Sequence, residues 1–140
     1  LKESFQRFSM KGLCHPAITA LITEAWGSSS RPVPLPVFQR LVRRESGCDP
    51  FAMNRSGAVG LAGVKFSTAE ALGHSPESVL HPRGNLDASL AILEDYQRLA
   101  DGDLKRALTF YRWGPARVLA GGSHTEEYAE DLTKNLELSQ

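Results

Sequence analysis

The apolar positions of this chain recur with the period of helices. From Pro16 to Trp26, the side chains of Ile18, Leu21, Ile22, Ala25 and Trp26 fall on one stripe, with proline at the first helical position and Gly27 where the helix stops. The segment "SSSRPVPLP" that follows is proline-rich and short, and it reads as an extended connector between two core-forming helices. A second helix is expected from about Pro36, with Val37, Phe38, Leu41 and Val42 as its apolar stripe. Continued by four residues from Leu41 or seven from Phe38, that stripe lands on Glu45.

Shorter pieces come next. "STAE", Ser67 to Glu70, has the form of a capping box and predicts a brief helix ending at Gly73, and Ser75-Pro76 can start another. Leu86, Leu90, Leu93 and Tyr96 mark a longer helix. Asp103 can cap the next one, which carries Leu104, Ala107, Leu108 and Tyr111 as far as Gly114-Pro115. A last helix from about Thr125 would bury Tyr128, Leu132 and Leu136, and Phe5 and Phe8 mark a first helix near the start. No stretch alternates over the length of a strand, so the expected class is mainly α, with little or no β structure.

Size and charge narrow the functions. With 140 residues and 41% hydrophobic content, a single domain with a genuine core is expected over residues 1–140. Sixteen basic and sixteen acidic residues cancel, which leaves no net field to attract nucleic acid or an anionic membrane. No apolar run has the length of a membrane span, and the chain opens on Leu1, as a processed protein or excised domain would. Cys14 and Cys48 lack the spacing of a zinc site and the four histidines are scattered, so no metal is expected; the two cysteines are either a disulfide or buried free thiols.

Glu45 is the candidate for chemistry. An inward-facing glutamate is either a structural acid with a buried partner or a cleft residue whose proton affinity is tuned. It lies in the last turn of its helix, before Gly47, where the negative end of the helix dipole favours the protonated acid. Arg43 and Arg44 are turned roughly 200° and 100° away from it on an ideal helix, and are expected to face solvent. Gly57, Gly60 and Gly63 follow at every third position, where glycine permits unusual backbone angles and close approach of main chain to a ligand. No Lys-Ser or Lys-Thr pair follows and no apolar strand precedes, which excludes a phosphate-binding loop. Asp49, just beyond Gly47, is assigned to turn formation.

Together, "ESGCDPFAMNRSGAVGLAG" resembles the signature of the soluble lytic transglycosylase (SLT) family of peptidoglycan-cleaving enzymes, in which a catalytic glutamate opens "ESG", an Asn-Pro or Asp-Pro pair follows, and then "GAxGLMQ". "STAEALG", "NLDASLAIL" and "FYRWGP" are similar to that family's "ATAxxLG", "NIxAGxxYL" and "AYNAGP". The motifs keep their order from about Pro36 to Leu136, leaving residues 1–15 as an N-terminal extension. The resemblance implies a goose-type-lysozyme-like helical domain with a substrate cleft, Glu45 at its floor as the catalytic acid, and peptidoglycan glycan strands as the partner. It implies a site without metal or cofactor, located in the periplasm or cell envelope, in a chain that can be part of a larger envelope, secretion or flagellar assembly.

Substrate contacts implied by the same alignment are Gly57, Ala58, Gly60 and Leu61 of the glycine motif, Asn54 at a family serine, Tyr111 at the tyrosine whose hydroxyl approaches the glutamate, and Tyr128 at an aromatic near the cleft. Two departures stand out. "GLMQ" is "GLAG" here, so Gly63 replaces a glutamine that reaches into the cleft. In "FYRWGP", Arg112 and Trp113 replace asparagine and a small residue, giving groups suited to stacking and bidentate hydrogen bonding. An Arg112 directed at Glu45 would lower the acid's pKa. The alternatives to a lytic transglycosylase are therefore a glycan-binding or scaffold module of the envelope, or a hydrolytic muramidase sharing the same site.

Overall fold

A computed structural model describes residues 14–136; the helix expected around Phe5 and Phe8 and most of the N-terminal extension lie outside the described residues. Among the described residues eight helices follow in chain order: α1 (Pro16–Gly27), α2 (Leu35–Ser46), α3 (Phe66–Ala71), α4 (Pro76–Leu80), α5 (Pro82–Leu99), α6 (Leu104–Trp113), α7 (Pro115–Leu119) and α8 (Glu127–Thr133). Among the described residues the only β pairing is two isolated antiparallel bridges, Met53 with Val59 and Val59 with Val64. The chain is thus mainly α, as its periodicity implies.

The stripes bury as their spacing predicts. In α1, Ile18, Ile22 and Ala25 are inside, and in α2 so are Val37, Phe38, Leu41 and Val42. Helix α5 presents Leu86, Leu90 and Leu93 to the core and packs against α1, α3, α4 and α6. Helix α8 turns Tyr128, Ala129 and Leu132 inward and closes the bundle against α2 and α6. Polar caps act where the sequence places them: Asp103 accepts from the Arg106 amide at the start of α6, and Ser75 from the Ser78 amide at the start of α4.

Two elements differ from expectation. Ser67 is not an N-cap. Val59 and Val64 exchange both main-chain hydrogen bonds, at 2.9 Å each, which holds the chain extended through Lys65 so that α3 begins at Phe66 with no side-chain cap. Gly114-Pro115 both ends α6 and starts α7, because proline's fixed φ suits the first helical position as well as it blocks a helix interior. Val118 of α7 joins Ala100, Ala107 and Phe110 in a small second core beneath Tyr96 and Trp113.

A disulfide joins Cys14 to the fully buried Cys48, resolving the choice left open by the two cysteines and tying the start of α1 to the turn after α2. The glycine-rich segment is held from below by Asn85 of α5. Its Oδ1 accepts from the Ala62 amide at 2.9 Å, and its Nδ2 donates to Val59 O at 2.9 Å and Val79 O at 3.0 Å. Gly60, at φ +78°, lies so close to this amide that any side chain would collide with it. Asn85→Ala would take from the Ala62 amide and the Val79 carbonyl the partner that Asn85 provides, and from the Val59 carbonyl one of its two bonds, and it is expected to destabilise the fold by about 3 kcal/mol in urea denaturation. A loss below about 0.5 kcal/mol, the range of an ordinary surface substitution, would show that Asn85 does not hold the loop.

Candidate active site

Helix α2 carries Glu45 to its last turn and stops at Gly47, whose φ of 62° and amide bond to Arg43 O at 2.8 Å form a left-handed cap. Asp49 then makes the turn assigned to it, its Oδ1 accepting from the Phe51 amide at 2.8 Å. The glycine segment returns alongside α2 and brings Gly63 against the Glu45 side chain. A Cβ at residue 63 would lie within the contact radius of Glu45 Oε1 and of its carboxyl carbon, and φ is +61° there. From the other side, the Tyr128 hydroxyl of α8 donates to Glu45 Oε2 at 2.7 Å.

These groups face an open cleft of about 500 Å³. Glu45, Asn54, Ala58, Tyr111, Arg112, Trp113 and Tyr128 all line it. Three other expected contacts do not. Leu61 is fully buried in the core, the face of Gly60 where a side chain would stand is packed on Asn85, and Gly57 sits on the exposed outer bend of the loop. Asn54 reaches the cleft edge, but its Oδ1 already accepts from the amides of Ser56 and Ala58 and the Ser56 hydroxyl, so the loop uses it as a turn organiser.

Tyr111 and Tyr128 both feel the charge of Glu45 but spend their hydroxyls on different partners. The Tyr111 hydroxyl donates to Ala62 O at 2.7 Å and lies 2.8 Å from Ser89 Oγ, so it braces the glycine loop instead of the acid. It is Tyr128 that touches Glu45. Burial, reinforced by the negative charge of Glu45, pushes both phenols well above the usual tyrosine range, so each remains a hydrogen-bond donor.

The pKa of Glu45 is raised above 4.5. Desolvation is the largest cause; the Tyr128 hydrogen bond and the charges of Arg112 and Arg44 oppose it without overcoming it. Among the described residues no cation forms an ion pair with Glu45. Arg112 lies over the Trp113 ring, 4.3 Å from its centroid. Arg44 is not turned wholly to solvent: it lines the cleft, ion-pairs with Asp131 and lies 5.6 Å from the centroid of Tyr128. A cleft is wide enough to draw on neighbouring faces of one helix, which a single buried stripe does not reveal.

Arg44, Lys65 and Arg117 are cleft residues that the sequence did not single out. Arg117 follows the "GP" pair by two residues, on a helix whose existence is visible only if that proline is read as a start. Among the described residues, no three of His, Cys, Asp and Glu converge on a metal site.

A family model of the transglycosylase SLT domain matches residues 25–133. In structure, this chain is similar to the 70 kDa soluble lytic transglycosylase SLT70 from Escherichia coli, with a TM-score of 0.62 and 21% identity over 72% of this chain and 17% of that one. It is similar to the same extent to a 70 kDa soluble lytic transglycosylase solved in complex with bulgecin A, at a TM-score of 0.62 and 20% identity over 72% of this chain and 17% of that one. These likenesses establish the lysozyme-like helical fold.

Two tests address the geometry. Because the folded state holds the Glu45 proton more tightly than the unfolded chain does, its contribution to stability is full below about pH 4.5 and is lost as pH rises through the folded pKa. Glu45→Gln removes this ionisation, so the variant should melt progressively higher than the wild type as pH rises above that range and should match it in acid. A difference independent of pH would contradict the raised pKa. Gly63→Ala should cost about 1–2 kcal/mol through the left-handed backbone alone and push Glu45 off Tyr128. A variant structure that retains the Tyr128–Glu45 hydrogen bond unchanged would refute that constraint.

Proposed function

The chain belongs to the transglycosylase SLT domain family, and on that premise we propose that it is a lytic transglycosylase of peptidoglycan with Glu45 as its single acid and base. It cleaves the β-1,4 bond between N-acetylmuramic acid and N-acetylglucosamine. The observation that carries this reading is a half-buried carboxyl of raised pKa, hydrogen-bonded on one oxygen by Tyr128 and facing an open cleft.

Tyr128 occupies Oε2, so the proton that Glu45 delivers resides on Oε1, the oxygen beside Gly63. In the first step Oε1 gives this proton to the glycosidic oxygen as the C1–O bond breaks, and the N-acetyl group of the muramic acid stabilises the charge developing at C1. In the second, the Glu45 carboxylate takes the proton of the C6 hydroxyl as that oxygen closes onto C1. The product is a 1,6-anhydromuramyl end, and Glu45 is protonated again. Two carboxylates are normally required for glycoside cleavage; here the substrate supplies the second function. The Tyr128 hydrogen bond favours the carboxylate and burial favours the acid, a balance suited to a group that must serve as both.

An envelope location accords with this reading. The Cys14–Cys48 disulfide is at home in an oxidising compartment. Among the described residues no helix is long and apolar enough to cross a membrane.

Incubation with purified sacculi should release muropeptides about 18 mass units lighter than the hydrolytic ones, because no water is added across the bond. Reducing ends in their place would identify a hydrolytic muramidase, and binding without release would identify a scaffold module. Glu45→Gln should abolish release. Tyr128→Phe removes an influence that lowers the Glu45 pKa, so the alkaline limb of its pH–rate profile should move to higher pH, with kcat reduced about tenfold through lost positioning. An unshifted profile would show that Tyr128 does not tune the acid.

A further inference from the structure

The chain is neutral overall, but its cleft is not. Among the described residues that line it, Arg44, Lys65, Arg112 and Arg117 face a single carboxylate, Glu45. Arg44 is balanced by Asp131. Arg112 and Arg117 are not: among the described residues neither forms an ion pair.

Both guanidinium groups lie against Trp113, with their central carbons 4.3 and 5.0 Å from its ring centroid. This arrangement is built into the chain. Trp113 Nε1 donates to Thr125 O at 3.0 Å, and Arg117 Nε donates to Ser123 O at 2.7 Å. The Gly122 amide bonds to Arg117 O at 2.8 Å, and a side chain at residue 122 would strike Arg117. The terminal nitrogens of Arg117, and every guanidinium nitrogen of Arg112, make no hydrogen bond among the described residues. Two like charges are therefore held within about a Debye length of each other with their donors unspent, and the Trp113 ring offsets only part of their repulsion. An anion within reach of both would offset that repulsion and accept charge-assisted hydrogen bonds from their unspent donors.

We propose that Arg112 and Arg117, held on Trp113, form a receptor for a carboxylate of the peptide substituents on the glycan strand, so that the cleft selects peptide-bearing strands over neutral sugar. This rests on the assignment of peptidoglycan as substrate and extends it. The sugar backbone of such a strand is neutral; its negative charge resides in the carboxylates of the peptides attached to the lactyl groups. A receptor on the wall beside Glu45 thus recognises a part of the polymer that the bond-breaking step does not involve, and its binding energy helps position the scissile bond.

The test uses the Glu45→Gln protein, which does not consume its ligand. Its affinity is measured by calorimetry for uncrosslinked peptidoglycan strands and for the same strands with their carboxylates converted to neutral methylamides. Conversion should weaken binding about tenfold or more. Arg112→Gln in the same background should weaken binding to native strands to a similar degree and abolish the sensitivity to conversion. Arg112 is exposed and makes no hydrogen bond, so this variant is expected to fold; Arg117→Gln provides an independent check on the second guanidinium. Equal affinity for native and converted strands, or an Arg112→Gln variant that discriminates as its parent does, would overturn the receptor while leaving the glycan assignment intact. Failure of both strand forms to bind would overturn the glycan assignment and the receptor together.

Discussion

The approach of the Glu45 carboxyl to the bare α-carbon of Gly63, under the hydroxyl of Tyr128, is the constraint around which the cleft is arranged. Three remote segments must agree within tenths of an ångström: the last turn of α2, the glycine loop and α8. Each is secured separately. Gly47 ends α2 one turn beyond its apolar stripe, Asn85 and Tyr111 hold the loop by hydrogen bonds to its main chain, and Leu132 and Ala129 seat α8. The acid is thereby positioned by groups that spend their own hydrogen bonds on backbone, which is stiffer than side chain.

Position 63 shows how a departure from a family pattern can be absorbed. A side chain there would need the volume that the carboxyl now occupies, so glycine at this place and the observed Glu45 geometry go together. Loss of the glutamine removes a polar group from the cleft, but it does not remove the acid.

Electrostatically, the site is a contest that burial wins. Tyr128, Arg112 and Arg44 each pull the Glu45 pKa down, yet desolvation outweighs their sum because none of them closes on the carboxylate as an ion pair. Arg44 is drawn to Asp131, and Arg112 rests on Trp113. The fold thus keeps these cations in the cleft but without an ion pair to Glu45.

Much of this was legible in the sequence, for identifiable reasons. Helical periodicity located the stripes of α1, α2, α5, α6 and α8, because a buried face is a local, repeating demand on residue type. The same periodicity put Glu45 on an inward face, and the motif order linked it to Tyr111, Arg112, Trp113 and Tyr128 around one cleft. Start signals were less dependable: Ser67 looks like a cap, but the Val59–Val64 pairing sets where α3 begins, and Pro115 reads as a stop although it also starts α7. Which tyrosine meets the acid, which arginine is paired and which free, and whether the two cysteines join were decided only in three dimensions. Those outcomes depend on contacts between residues 34 to 87 positions apart, and no local pattern records such distances. The sequence by itself determined the helices and set Glu45 on an inward face; the tertiary structure decided its partners, because hydrogen bonds and ion pairs are chosen by proximity that only packing creates.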